Sequence, residues 1–279
     1  MFTLNCKGRL LMINKPLAMG VINVTPDSFY IDSRKPNADA ALQQAEQLIN
    51  EGAIILDVGG QSTHPRSKQI DAGTEAERIL PVIEEIVNQF PEVFISVDTY
   101  YASVAKQAVE AGGCIVNDIS AGNLDSTMLE TVGKLNVPFI CMHMQGTPQT
   151  MQLNPVYENV TKEILDFFIK KTEECKLAGI NDIIIDAGFG FGKTITHNLE
   201  LLHNLSIFKM LEKPMLIGVS RKSTIYKTLG ITAKEALNGT TVLNTIALLN
   251  GANILRVHDV KEAVEAIKLV EIYKEKNLI

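Results

Sequence analysis

The chain alternates short apolar runs with longer stretches whose apolar residues recur every three to four positions. Runs at 17–22, 53–58, 93–97, 114–117, 137–142, 182–185, 214–219 and 253–257 read as strands. The unbroken isoleucines of 183–185 predict a strand covered on both faces. Between these runs lie helical patterns. Leu42, Ala45, Leu48 and Ile49 form one face of a helix over 39–51, stopped by Gly52. A helix over 74–90 opens on Thr74 and Glu77, spaced as a capping box, with Pro81 predicting a bend or a later start. Val156, Val160, Ile164, Phe167 and Cys175 keep helical spacing over 156–178, up to Gly179. A helix over 259–275 has Asp259 as its cap and Val260, Val264 and Ile267 facing inward. Further helices are expected near 101–111, 126–135, 197–210 and 238–250. Residues 2–13 read as a hairpin turning at Lys7-Gly8, suited to plug one end of a barrel. Strands separated by helices imply parallel pairing. About eight such units in 279 residues predict one (β/α)8 barrel domain over 1–279. A doubly wound open sheet is the alternative architecture.

Composition narrows the picture. At 46% hydrophobic the chain can bury a large core, and no Gly-, Pro- or Ser-rich stretch reads as a linker. A net charge of −6 argues against nucleic acid held through phosphates, so positive charge for an anionic ligand must be local. The N-terminus lacks the basic-then-apolar pattern of a signal peptide, and no apolar stretch reaches the roughly 20 residues of a membrane span. The four cysteines are scattered and read as reduced thiols, so a cytoplasmic protein is expected.

The chemistry is concentrated where the strands end: Asn23, Asp57, Asp98, Asn117 with Asp118, His143, Asp186, Ser220 with Arg221 and Lys222, and Arg256 with His258. Asp and Asn favour loops and caps anyway. Eight polar endings together, converging on one barrel face, instead point to a site. Asp98, Asn117 and Asp186 suit the paired N–H groups of a flat, nitrogen-rich heterocycle. Arg256, His258, Arg221 and Lys222 make a cationic corner for an anion. His143 reads either as a packing histidine or as a substrate contact. Residues 187–194 (AGFGFGKT) fit a relaxed phosphate-loop pattern, but Phe189 and Phe191 occupy positions where small residues line such a cradle. No spacing of His, Cys, Asp and Glu suggests zinc.

Several motifs then fall into one order: residues 19–29 (MGVINVTPDSF), 57–63 (DVGGQST), 96–100 (SVDTY), 116–120 (VNDIS), 143–148 (HMQGTP), 186–193 (DAGFGFGK), 220–223 (SRKS) and 256–259 (RVHD). Together they resemble the dihydropteroate synthase family across most of the chain. The resemblance implies a pterin-binding barrel that joins 6-hydroxymethyl-7,8-dihydropterin diphosphate to 4-aminobenzoate in folate biosynthesis. It implies that Asp98, Asn117, Asp186 and Lys222 hold the pterin, and that Asn23 coordinates Mg2+ on the diphosphate. Arg256, His258, Thr63 and His64 would hold the diphosphate. Phe29, Thr63, Pro65, Phe191, Lys222 and Ser223 would form the aminobenzoate pocket, partly on two loops, 24–37 and 60–73. Asp98, Asp186, Lys222, Arg256 and His258 would carry the chemistry, a dissociative substitution without a covalent intermediate. A homodimer is implied by resemblance alone.

The sequence also departs from the family. His64 and Arg66 stand where Arg and Gly are usual, Ala187 replaces the common Pro, and 30–34 lacks the usual Asp-Gly-Gly. His64 is shorter than arginine and only partly charged near neutrality, and Arg66 is the candidate to replace it. These changes bear on loop closure, aminobenzoate affinity and sulfonamide sensitivity. Two other readings share the pterin floor: a methyltetrahydrofolate–corrinoid methyltransferase, and a pterin-binding paralogue without turnover.

Overall fold

Eight strands run parallel and close on themselves. They are β3 (Leu17–Asn23), β4 (Ile55–Gly59), β5 (Phe94–Asp98), β6 (Ile115–Asp118), β7 (Phe139–Met142), β8 (Ile183–Asp186), β9 (Met215–Ile217) and β10 (Ile254–Val257), with β10 pairing β3 to complete the barrel. The structure is a computed structural model describing residues 1–24, 34–61 and 69–275, with the backbone alone over 34–38. Helices α1 (Arg34–Asn50), α2 (Ala72–Gln89), α3 (Ala102–Glu110), α4 (Met128–Leu135), α5 (Val160–Leu177), α6 (Ile195–His203), α7 (Ser223–Leu229), α8 (Leu237–Leu249) and α9 (Val260–Glu275) surround it. The predicted (β/α)8 barrel is thus the observed one, and every predicted strand is present.

Side chains alternate across each strand, so the sheet sorts its residues by parity. Ala18, Leu56, Val58, Ile95, Val97, Val116, Cys141, Ile185, Ile217 and Leu255 face outward into the layer under the helices. Gly20 is among the outward positions, and a Cβ there would lie 3.0 Å from Leu48 of α1. The opposite parity fills the barrel: Met19, Ile55, Ile115, Ile140, Ile184, Leu216 and Ile254 form an apolar floor.

The floor is sealed from below by β1 (Phe2–Cys6) and β2 (Arg9–Ile13), the predicted hairpin. Its turn residues Lys7 and Gly8 both take positive φ, +54° and +84°, as a tight two-residue hairpin loop requires. Leu4, Cys6, Leu11 and Ile13 pack into the floor. Polar contacts tie it to the rim: the Asn5 N–H donates to Asp182 at 2.6 Å, and Arg9 donates to the Glu92 and Val93 carbonyls.

Four local expectations change. The helix expected over 156–178 starts later, at Val160, because Asn159 caps it by accepting from the Lys162 N–H at 2.9 Å, and Val156 is left exposed outside it. Helix α2 begins earlier than expected, because Asp71 caps it: its carboxylate accepts from the Thr74 N–H at 2.9 Å and from the Thr74 hydroxyl at 2.8 Å. The predicted Thr74–Glu77 box therefore lies inside the helix, which continues through Pro81. The carboxylate of Asp259 is held in a bidentate pair by Arg221, at 2.8 and 2.7 Å, not by the N-terminus of α9. The helix expected over 197–210 is α6 followed by a tighter 3-10 turn, Leu205–Leu211.

Candidate functional site

Strand parity builds the site. Two residues beyond Ile55, Ile115, Ile184 and Ile254 come Asp57, Asn117, Asp186 and Arg256, which therefore project into the barrel directly above the apolar floor. Asp98 follows Phe94 and Ser96 by the same rule. At the centre Arg256 donates from Nε to Asp57 Oδ2 at 2.6 Å and from Nη2 to Asp98 Oδ2 at 2.7 Å. Asn117 Nδ2 donates to the same Asp57 oxygen at 3.0 Å. Burial works against the charge on Arg256, but Asp57 and Asp98 outweigh it and hold the guanidinium protonated. Burial pushes Asp98 up to about 7 despite the nearby Arg256. It also raises Asp186, against Lys222. Asp57 Oδ1 and Ser96 Oγ are buried with no partner among the described residues. Such orphaned acceptors inside the barrel are satisfied by a polar ligand or by water.

Asp186 Oδ1 accepts from the Gly188 N–H at 2.8 Å, and from there the chain turns through 187–193 with Gly188, Gly190 and Gly192 all at positive φ. Lys222 comes over this turn. Its Nζ donates to the Phe189 carbonyl at 2.6 Å and lies 4.7 Å from the centre of the Phe191 ring. Burial lowers Lys222 to about 8. The turn is not a phosphate cradle. Lys193 is buried, its ammonium 3.0 Å from the Gly188 and Phe191 carbonyls and from His143 Nδ1, so it is spent on the turn itself.

The expected cationic corner loses one member. Arg221 turns away to Asp259 and to the carbonyls of Ala233 and Lys234. Asp259 offers a geometrically matched carboxylate there, and the positive φ of Arg221, +52°, turns the chain between Ser220 and Lys222. His258 lies at the rim, where Ser220 Oγ is 3.0 Å from its Nδ1 and accepts from its backbone N–H at 3.2 Å. His258 is exposed as a whole, yet the wall on its barrel side and then Arg256 lower it to about 4, which favours the neutral ring. His143 is a buried packing residue edge-on to Phe167 and is pushed down to about 2, by burial and then by Lys193. Asp118 is buried too, but it serves its own turn by accepting from Ser120 and from the Gly122 N–H.

Asn23 is exposed where β3 ends, and Ser223 opens α7 half-buried. Phe191 meets the Tyr100, Ile119 and Met142 cluster lining the mouth. Phe29, Thr63, His64 and Pro65 lie outside the described residues. Sequence reasoning assigned no role to three groups at the site. Asp57 was visible as a strand end, and the Ile55–Asp57 parity would have turned it inward. Glu75 lies on the apolar stripe of Ile79, Val82, Ile83 and Ile86, and a carboxylate on such a stripe is itself a signal. Lys193 gave no signal beyond the phosphate-loop likeness.

A closed parallel barrel that gathers ionisable strand-end residues on one face, above an apolar floor, is the arrangement in which enzymes of this fold carry their active sites. The profile of the pterin binding enzyme family matches residues 19–258. The dihydropteroate synthase of Escherichia coli K12 is 41% identical over 267 residues, covering 95% of this chain and 94% of the relative. The Yersinia pestis dihydropteroate synthase, solved with a sulfonamide drug, superposes with a TM-score of 0.92 at 39% identity, over 98% of this chain and 100% of the other. The Xanthomonas albilineans enzyme does so with 4-aminobenzoic acid (TM-score 0.91, 36% identity, 98% of both chains) and with 7,8-dihydropteroate (0.88, 34%, 98% and 99%). The chain belongs to the pterin-binding enzyme family. Within it, its near-full-length relatives are dihydropteroate synthases, and it is a transferase of that type.

Proposed function

We propose that this chain joins 6-hydroxymethyl-7,8-dihydropterin diphosphate to 4-aminobenzoate, giving 7,8-dihydropteroate and diphosphate. The observation that carries the reading is the ring of Asp57, Asp98, Asn117, Asp186, Lys222 and Arg256 above an apolar floor. Carboxylates and an amide face the N–H edge of the pterin, and cations face its oxygen and the departing anion. The complexes of the Xanthomonas relative with aminobenzoate and with dihydropteroate support the same substrate and product.

The bond from the pterin methylene carbon to the diphosphate oxygen breaks, and the electron pair leaves with the diphosphate. The electron-rich pterin bears the resulting positive charge, and Asp98 and Asp186 stabilise it across a short, poorly screened distance. The aniline nitrogen then bonds to the methylene carbon and loses a proton. Arg256 and His258 bind the diphosphate. An anion beside His258 favours its protonated form, reversing the depression seen without one. Phe191, Lys222 and Ser223, with Phe29, Thr63, Pro65 and His64 from the two loops, complete the aminobenzoate and diphosphate pockets. No nucleophilic side chain is required, and all four cysteines are buried in the core.

Mg2+ fits the donor set. Asn23 offers one neutral oxygen at the rim, and no cluster of three His, Cys, Asp or Glu exists among the described residues. Mg2+ commonly takes most of its ligands from phosphate oxygens and water, so a single protein oxygen is compatible with it. When bound, it would neutralise charge on the leaving diphosphate.

We also assign a homodimer. Val242, Ile246 and Leu249 form an exposed apolar stripe on α8, beside exposed Leu269 and Ile272 of α9. The functional test is a product assay with both substrates, with Mg2+ or chelator, on the unmodified chain and on Arg256→Ala. Mg2+-dependent dihydropteroate that falls at least 100-fold in the variant is expected. Tight pterin diphosphate binding without product would overturn the transferase and leave a binding protein.

A further inference from the structure

Lys193 has no part in the reaction just described, yet it is the most enclosed cation at the site, 3% exposed. Its ammonium has four acceptors: Gly188 O, Phe191 O and His143 Nδ1 at 3.0 Å, and His143 O at 3.3 Å. All four are uncharged, since the His143 ring is neutral. Burial, only partly offset by the nearby Asp186 carboxylate, lowers Lys193 to about 7, so keeping it protonated among these acceptors is costly. Knitting the turn together is therefore an incomplete account of it.

The turn it holds has an unusual feature. Each of the five carbonyls from Gly188 to Gly192 accepts a hydrogen bond from a side chain. Gly188 and Phe191 accept from Lys193, Phe189 from Lys222, Gly190 from Gln152 at 2.7 Å and Gly192 from Tyr157 at 2.8 Å. The two carbonyls held by Lys193 bracket the one that holds Lys222. The second of them belongs to Phe191, whose ring lies under the Lys222 ammonium. The turn is closely packed at two of its glycines. A Cβ on Gly188 would run into the His143 carbonyl, and one on Gly190 would lie 3.2 Å from Lys222 Cδ.

We propose that Lys193 is a positioning residue that fixes the 188–191 turn so that the Phe189 carbonyl and Phe191 ring set the Lys222 ammonium for the pterin. This rests on the pterin reading above. It differs from a purely structural role in one respect: the effect of Lys193 on the ligand passes through Lys222.

The test is a double-mutant cycle read by calorimetric binding of 6-hydroxymethylpterin, with thermal unfolding recorded for each variant. Lys193→Met is expected to weaken binding about tenfold. In a Lys222→Met background it should cause no further loss. Lys193→Gln, which keeps a donor and is better tolerated should the methionine variant misfold, should fall between Lys193→Met and the unmodified chain. Tyr157→Phe removes only the outer donor to Gly192 and should bind within twofold of the unmodified chain. Unchanged affinity in Lys193→Met and Lys193→Gln, or losses that add to Lys222→Met, would overturn the proposal while leaving the pterin reading intact. Failure of the unmodified chain to bind the pterin would overturn both.

Discussion

At the scale of single residues, the site works by keeping charges out of water while leaving each a partner. Asp98 is pushed up to about 7 by burial, and in the proposed pterin site its protonation state would govern the contact. Only its ionised form accepts from paired N–H groups. Pterin binding should therefore weaken about tenfold per unit as pH falls below about 7, and Asp98→Asn should bind weakly but without that slope. Calorimetry from pH 5.5 to 8.5 checks both. Glu75 makes the opposite kind of statement. It is fully buried, accepts from the Thr99 hydroxyl at 3.2 Å and has its other oxygen unpartnered among the described residues, and burial raises it to about 8. The folded state holds this proton between about 4.5 and 8 and the unfolded state does not, so stability is lost as pH rises through that window. Glu75→Gln should flatten the loss, gaining on the order of 1–3 kcal/mol at pH 8 relative to pH 5 in urea titrations. Of these residues, Asp98 was legible from its place at a strand end. The direction of Arg221 was not, because its partner Asp259 is 38 positions away and was read as a helix cap.

At the scale of elements, the fold was legible because its strands are apolar on both faces and its helices on one. The pattern does not encode where two elements touch. Gly133 sits inside α4, where propensity alone favours alanine by about 1 kcal/mol. A Cβ there would collide with the Ala178 carbonyl at the end of α5. Gly133→Ala should therefore destabilise the protein by about 2 kcal/mol or more, because backbone cannot give way as a flexible side chain can. Urea unfolding read by circular dichroism measures the difference. The start of α2 teaches the same lesson. Thr74–Glu77 satisfied the local rule, and Asp71, with a charged oxygen three residues earlier, satisfied it better.

At the scale of the whole molecule, the polar mouth and the apolar α8 stripe lie on different elements, so the proposed dimer can be tested without touching the chemistry. Ile246→Glu should give a monomer in sedimentation velocity and leave turnover per chain within about threefold. A stripe of alternating exposed and buried apolar residues on α8 was visible in the sequence only as a strongly hydrophobic helix. Its exposed side became distinct only once the barrel had claimed the other.

The hairpin sealing the floor has a consequence for how the protein is made. Its two strands are synthesised before the eight of the barrel, but their apolar side packs against Leu216 and Ile254, which belong to the last two of those strands. At about 5–20 residues per second, the hairpin waits on the order of tens of seconds for its seat. Meanwhile β3 has one free edge, because its partner β10 does not yet exist. Barrel closure and plugging are thus one late event. A nascent chain stalled before β10 exposes an unsealed floor and an open strand at once, which makes it a client for chaperones.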